Sequence, residues 1–312
     1  MRFAVIGLGG AGGYFGARLV EAGHEVAFLA RGAHLAAIRE AGLRVDSVKG
    51  DFVARPALAT DDPHDVGPVD HVLLGVKAWQ VPEVARGIAP LVGPSTAVLP
   101  LQNGVEAPTQ IAAALGREHA LGGTSRIISF IAGPGHVRHM GVEPAIELGE
   151  LDGTRSARAE ALLEALQQAR GMTAAIPSDI RVAMWTKFLF ITAFSGVGAV
   201  TRAPIGTVRA IPETRRMLES VMEEIERVAR AHQILLAEDV VTRTMGYVDA
   251  LPASGTASMH RDIVDGKPSE LESLTGAVTR LGAEVGVPTP TNTFLYHALL
   301  PLERAARGQL PR

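Results

Sequence analysis

The chain contains no cysteine, which excludes disulfides, thiolate-held metals and a cysteine nucleophile. It has no run of lysine or arginine either, and a formal net charge of −3 with a pI near 6.4 gives no reason to expect a nucleic acid partner. Behind Arg2 the first apolar segment runs only about five residues before glycine, too short for a signal peptide or a membrane span. A cytoplasmic protein without a membrane partner is therefore expected. No internal repeat or low-complexity tract is present. What remains is a chain of 312 residues, 47% hydrophobic and 20% charged, the composition of a globular protein long enough for two cores.

The N-terminal stretch MRFAVIGLGGAGGYFGARLVEAGHEVAFLAR predicts a strand–turn–helix–strand unit. Phe3 to Ile6 reads as a buried strand, residues 7–12 as a glycine turn, Tyr14 to Ala22 as an amphipathic helix and His24 to Leu29 as a second strand. The turn, Gly7-Leu8-Gly9-Gly10-Ala11-Gly12, carries the G-x-G-x-x-G pattern in the context that gives it meaning. Its first glycine permits the tight turn, the second lets backbone N–H groups approach a pyrophosphate, and the third allows close helix packing. The phosphates then rest on the positive end of the helix. An NAD-binding unit usually has an acid about twenty residues past the glycines, for the ribose hydroxyls. Here the strand ends Phe28-Leu29-Ala30-Arg31-Gly32, with no acid. Arg31 would suit a 2′-phosphate and so favours NADP(H); the plainer alternative is a solvated arginine at a strand end.

Two more strands, Asp70 to Val76 and Thr96 to Leu101, end at Lys77 and at Gln102-Asn103-Gly104. Ligands of open parallel sheets bind outside the carboxyl ends of the strands, which makes Lys77 and Asn103 candidates. A surface lysine opening a helix and a turn asparagine would look the same. His136 and His139 read as a surface turn in a glycine-rich loop, and no metal is expected. After Pro177 the period changes from strand to helix: Leu218, Val221, Met222, Ile225, Val228, Ala229 and His232 recur on one helical face, with His232 a half-buried core position. The switch divides the chain into residues 1–176 and 177–312.

Within AMWTKFLFITAFSGVGAV, Lys187 is the only charged side chain between Arg181 and Arg202. The run is nearly long enough to cross a membrane, but its lysine, Gly196 and Gly198 point to a helix buried in protein. A lysine buried there must be paired, neutralised or useful. Further on, Pro268 fits a first helical turn, Ser269 and Glu272 have capping-box spacing, and Glu270 falls in that first turn, where simple capping would account for it.

Taken together, the G-L-G-G-A-G-G-Y-F-G opening, VKAWQ at Val76–Gln80, LQNGV at Leu101–Val105, WTKF at Trp185–Phe188 and SMHRDIVDGKPSELE at Ser258–Glu272 resemble the ketopantoate reductase (2-dehydropantoate 2-reductase) family, in the family's order. The resemblance implies an α/β fold, with an N-terminal Rossmann-type doubly wound parallel sheet that binds NADP(H) and a C-terminal all-helical domain. It implies reduction of a 2-oxo acid, a small-molecule partner, in pantothenate biosynthesis, and a homodimer is plausible. Residue by residue, Lys187 matches the lysine that protonates the ketone oxygen, Glu270 the active-site glutamate and Ser258 the substrate-carboxylate serine. Asn103 and Lys77 match contacts to cofactor and substrate, and Arg31 the adenosine-phosphate contact. The pattern departs at Ile191 and Ser195, where the family commonly has asparagines that hold the substrate. That loosens the substrate more than the reaction. A related NADP-dependent dehydrogenase of another 2- or 3-hydroxy acid, or a non-catalytic NADPH sensor, stays open.

Overall fold

The computed structural model describes residues 1–310. In chain order β1 (Arg2–Ile6), α1 (Gly10–Glu21), β2 (Glu25–Leu29), α2 (Gly32–Ala41), β3 (Leu43–Ser47), β4 (Phe52–Ala54) and β5 (Leu58–Thr60) come first. They are followed by β6 (Val69–Leu74), α3 (Val81–Gly87), β7 (Val92–Pro100), α4 (Ala107–Leu115), β8 (Gly122–Gly133), β9 (His136–Gly149), α5 (Ala157–Gln168) and β10 (Thr173–Ala175). From there the described residues are helical: α6 (Ile180–Thr201), α7 (Ile205–Ala210), α8 (Pro212–Ala231), α9 (Val240–Ala250), α10 (Ser258–Val264), α11 (Thr275–Glu284) and α12 (Pro290–Ala306). Two compact units result, one of residues 1–102 and 106–183, the other of residues 103–105 and 184–312.

In the first unit a parallel sheet of order β5-β2-β1-β6-β7 is covered on both faces, as a doubly wound sheet must be. Alternation along each strand divides its side chains between two cores: Phe3, Val5, Phe28, Leu73 and Leu99 face one, Ala4, Ile6, Val72, Leu74 and Val98 the other. A second sheet, β10-β9-β3-β4 with β8 paired antiparallel to β9, shares the first of these cores with α1 and α5.

Three expectations are corrected here. Helix α1 begins at Gly10 rather than Tyr14, so the turn shrinks to Gly7–Gly9. Helix propensity argues against glycine there, but a Cβ at Gly10 would lie 2.3 Å from the Ser129 carbonyl oxygen and one at Gly12 2.2 Å from that of Gly7, so packing decides. His136 and His139 lie on β9, not in a turn. His136 meets Asp46 of β3 at 2.9 Å, and His139 is buried, its Nδ1 2.8 Å from Ser47 Oγ. Finally, no helix begins at Pro268: a loop leads to a 3₁₀ turn at Leu271–Ser273, and α11 starts only at Thr275.

Most of α6, from Met184 on, lies in the second unit. Length and composition would let it cross a membrane, but 67% of its apolar window is buried inside the protein. Helix α8 buries the face read from the sequence, and His232 at its end donates from Nε2 to the Leu281 carbonyl oxygen at 3.0 Å. Helix α12 is fixed at its N-terminus by the buried Glu224 carboxylate, which accepts from the backbone N–H groups of Thr291 (2.8 Å) and Asn292 (2.9 Å) and from Asn292 Nδ2 (2.7 Å).

Candidate active site

The loop between β1 and α1 is built from backbone. Gly7 has φ +83°, a conformation that favours glycine, and a Cβ on it would meet the Val76 nitrogen at 2.6 Å. Gly75, just past β6, closes the same knot, since its own Cβ would lie 2.7 Å from the Gly7 carbonyl oxygen. Gly9 differs: nothing lies within 4 Å of where its Cβ would stand. It caps α1 without a side-chain hydrogen bond, and the first turn carries no acid. Free N–H groups at the positive end of a twelve-residue helix, with open space over Gly9, fit the diphosphate of a dinucleotide. Leu8 points into the core and Ala11 is half-buried, so their part in the loop is through the backbone.

Around this loop, Arg31 follows β2 in extended conformation and caps α2, with its side chain exposed. Lys77 lies beyond the end of β6, which stops at Leu74; it is exposed, with Nζ 5.7 Å from the Trp79 ring centroid. Two residues here escaped the sequence reading. Gly75 is one. Gln102 is the other: buried, it donates from Nε2 to the carbonyl oxygens of Leu74 (2.7 Å) and Val76 (2.9 Å), which fixes the end of β6 against that of β7. A polar residue closing an apolar strand was the available signal.

In the second unit Asn103 donates from Nδ2 to Glu270 Oε2 at 3.2 Å, so the structure brings these two candidates together. Glu270 is buried and precedes the 3₁₀ turn; a Cβ on Gly104 would lie 2.9 Å from the Ser273 carbonyl oxygen, so the two loops meet closely. The expected capping box is absent. The Ser269 hydroxyl donates to Glu303 at 2.5 Å, while Glu272 accepts from Tyr296 Oη at 2.8 Å. Burial, and then that bond to Glu272, push the Tyr296 phenol up to about 12.

Lys187, Ile191 and Ser195 follow at four-residue steps on α6 and therefore share a face. Lys187 is only half-buried, which corrects the picture of an enclosed cation. A long apolar stem lets a lysine sit on a greasy helix at less desolvation cost than full burial would impose. Ser195 is fully buried, and its hydroxyl has no hydrogen-bond partner among the described residues. Ser258 opens α10, half-buried. Among the described residues no group of three or more histidines and acids could hold a metal ion.

Over most of its length the chain is similar to known proteins. The family model for ketopantoate reductase PanE/ApbA matches residues 3–153, and that for the ketopantoate reductase PanE/ApbA C terminal matches residues 179–303. A 2-dehydropantoate 2-reductase of Mesorhizobium japonicum is 30% identical over 312 aligned residues, 93% of this chain and 94% of the relative. The crystal structure of a PanE/ApbA family ketopantoate reductase from Ralstonia eutropha JMP134 superposes with a TM-score of 0.88 at 31% identity, covering 98% of this chain and all of that one. The ternary structure of D-mandelate dehydrogenase with NADH and anilino(oxo)acetate, 24% identical with a TM-score of 0.88 over 98% of this chain and 99% of that one, shares the fold. Since the matches span the parallel-sheet half and the helical half alike, the chain belongs to the ketopantoate reductase family of oxidoreductases, which use a nicotinamide cofactor.

Proposed function

We propose that this enzyme reduces a 2-oxo acid to the 2-hydroxy acid with NADPH, and that the reaction is 2-dehydropantoate to pantoate. The observation that carries the reading is the presence, in one compact unit, of the half-buried Lys187 on α6 and the hydrogen-bonded Asn103–Glu270 pair. When bound, the reduced nicotinamide supplies a hydride to the carbonyl carbon. Negative charge then grows on the carbonyl oxygen, where the Lys187 ammonium stabilises it and delivers the proton that completes the alcohol. Glu270 accepts hydrogen bonds at the same site, and Asn103 holds its carboxylate in one rotamer. Ser258 takes the substrate carboxylate through its hydroxyl. The unpartnered hydroxyl of Ser195 offers a buried polar contact that a ligand group would satisfy.

Nucleotide binding falls to residues 1–176 and substrate binding to residues 177–312 in this reading. The β1–α1 loop residues hold the diphosphate, Lys77 and Asn103 contact the cofactor, and Arg31 supports NADPH over NADH because a guanidinium fork stands where an acid would repel the 2′-phosphate. A second reading is favoured by Ile191, an apolar side chain one turn beyond Lys187: the substrate is a 2-oxo acid with a less polar tail. A cytoplasmic homodimer accompanies either reading, to be checked by fractionation and light scattering.

The test is NADPH oxidation, followed by absorbance, over a panel of 2-oxo acids including 2-dehydropantoate, alongside NADH. Lys187→Ala should lower kcat by about 10²–10⁴-fold. Turnover of 2-dehydropantoate no better than of apolar 2-oxo acids moves the assignment to the second reading, and a preference for NADH defeats the role given to Arg31. A Lys187→Ala enzyme close to wild type removes the proton donor.

A further inference from the structure

Glu303 is a carboxylate in an unfavourable place. It sits in the last turn of α12, where the negative end of the helix dipole disfavours an anion, and only 2% of its surface is exposed. Packing alone would be served by an apolar residue of similar size. Among the described residues, every hydrogen bond to its carboxylate comes from Ser269 or Arg307. Glu303 Oε1 and Oε2 accept from the Ser269 backbone N–H at 3.1 and 3.0 Å, Oε2 accepts from Ser269 Oγ at 2.5 Å, and Oε1 accepts from Arg307 Nε at 2.6 Å. Arg307 in turn donates from Nη2 to the Ser269 carbonyl oxygen at 3.0 Å. The amide, the carbonyl and the hydroxyl of one residue are thus all held by the last turn of α12 and the Arg307 that caps it.

That residue immediately precedes Glu270. On the other side, the Glu270 carbonyl oxygen accepts from the N–H groups of Ser273 (3.1 Å) and Leu274 (3.0 Å), which fixes its backbone from both directions. Tyr296 lies two turns before Glu303 on the same face of α12 and grips Glu272. Helix α12 therefore holds both ends of the segment 269–272, itself anchored by Glu224 at its far end. From this backbone the Glu270 side chain reaches Asn103, accepting from its Nδ2 at 3.2 Å.

We infer that Glu303, through Ser269 and with Arg307 balancing its charge, is the positioning residue for Glu270. The inference rests on the role given to Glu270 in the proposed function. In Glu303→Gln one acceptor oxygen becomes an NH₂ donor that confronts the Ser269 N–H and the Arg307 guanidinium, so the grip opens while volume is kept.

Two measurements on the full-length enzyme test it. By hydrogen–deuterium exchange, Glu303→Gln should raise exchange at Ser273 and Leu274, whose amides report the Glu270 backbone, while the middle of α12 keeps its protection. Kinetically, the substitution should lower kcat at least tenfold with little change in KM for NADPH. The same substitution made in a Glu270→Gln enzyme should change kcat less than twofold, because the residue it positions no longer acts. Unchanged exchange at Ser273 and Leu274, or kinetic losses that multiply, would overturn the inference. Ser269→Ala, which deletes the hydroxyl with its bonds to Glu303 and from the Leu271 N–H but keeps the backbone bond to Glu303, carries the same comparison if Glu303→Gln does not fold. A wild type that reduces no 2-oxo acid defeats the proposed function instead, and the exchange measurement then decides the clamp by itself.

Discussion

Lowering the pH from 7 to 5 should weaken the first unit by about 2 kcal/mol through His71 alone. This histidine sits on β6 between Phe3 and Ala97, 2% exposed, with its ring 5.5 Å from that of Phe3 and Nδ1 without a partner among the described residues. Burial, aided by Arg158 and the N-terminal ammonium and opposed by Asp70, depresses it from 6.5 to about 4. Below 6.5 the unfolded chain binds a proton that the folded chain refuses until about 4, so stability present above 6.5 is lost as the pH falls across that window. A shift of this size, at 1.36 kcal/mol per unit, removes about 3 kcal/mol by pH 4 and about 2 kcal/mol by pH 5. Urea unfolding in a Trp185→Phe background, followed by Trp79 fluorescence, reports the first unit at both pH values. His71→Gln cannot charge, while His24 and His34, also lowered by burial, remain in both proteins, so the difference in pH dependence isolates His71. Equal losses in the two proteins would refute the reasoning.

Two glycines of the β1–α1 loop should behave oppositely. Gly9→Ala leaves the folded state unstrained, since its methyl meets nothing within 4 Å, yet should weaken NADPH binding at least tenfold by fluorescence titration; unchanged affinity would remove the diphosphate from that space. Gly12→Ala forces a methyl to 2.2 Å from the Gly7 carbonyl oxygen and should lower the unfolding temperature as well as the affinity, so a normal melt would contradict the knot. Glu224→Gln should cost the second unit about 1–2 kcal/mol by weakening the cap on α12, with NADPH affinity intact; an unaltered urea midpoint would show the cap to be idle.

Strong periodic signals in the sequence carried over into the fold. The strand β1, the parallel order implied by the glycine turn, and the buried stripe Leu218 to Ala229 on α8 are all local patterns that burial enforces. The β8–β9 hairpin was not legible. Its strands hold glycine, proline and histidine at positions that propensity assigns to a loop, and β9 is held as a strand by β3 and β10, both remote in sequence, with β8 pairing onto it. The same reason explains the misplaced helix start at Pro268. Ser269 and Glu272 have the spacing to cap each other, but Glu303 and Tyr296 bind them first, and neither competitor is visible in the local sequence. Of the candidate site, Asn103 and Glu270 are seen to meet, whereas Gly75 and Gln102 came to light only from the structure.

The candidate segments, one in each unit, share a construction principle. In the first unit the glycine loop is shaped by contacts among backbone atoms of Gly7, Gly12 and Gly75, and in the second the segment bearing Glu270 is held by its backbone at Ser269. A side-chain contact can be lost and partly restored by a neighbouring rotamer, but a backbone contact at 2.2–2.8 Å from a would-be Cβ leaves no such freedom. Each knot also depends on a residue remote from the motif it serves: Gly75 for G-x-G-x-x-G, Glu303 for the SELE stretch. The motif residues alone therefore do not set this local geometry. Part of the geometry of each segment is set from outside it, at the end of β6 and in the last turn of α12.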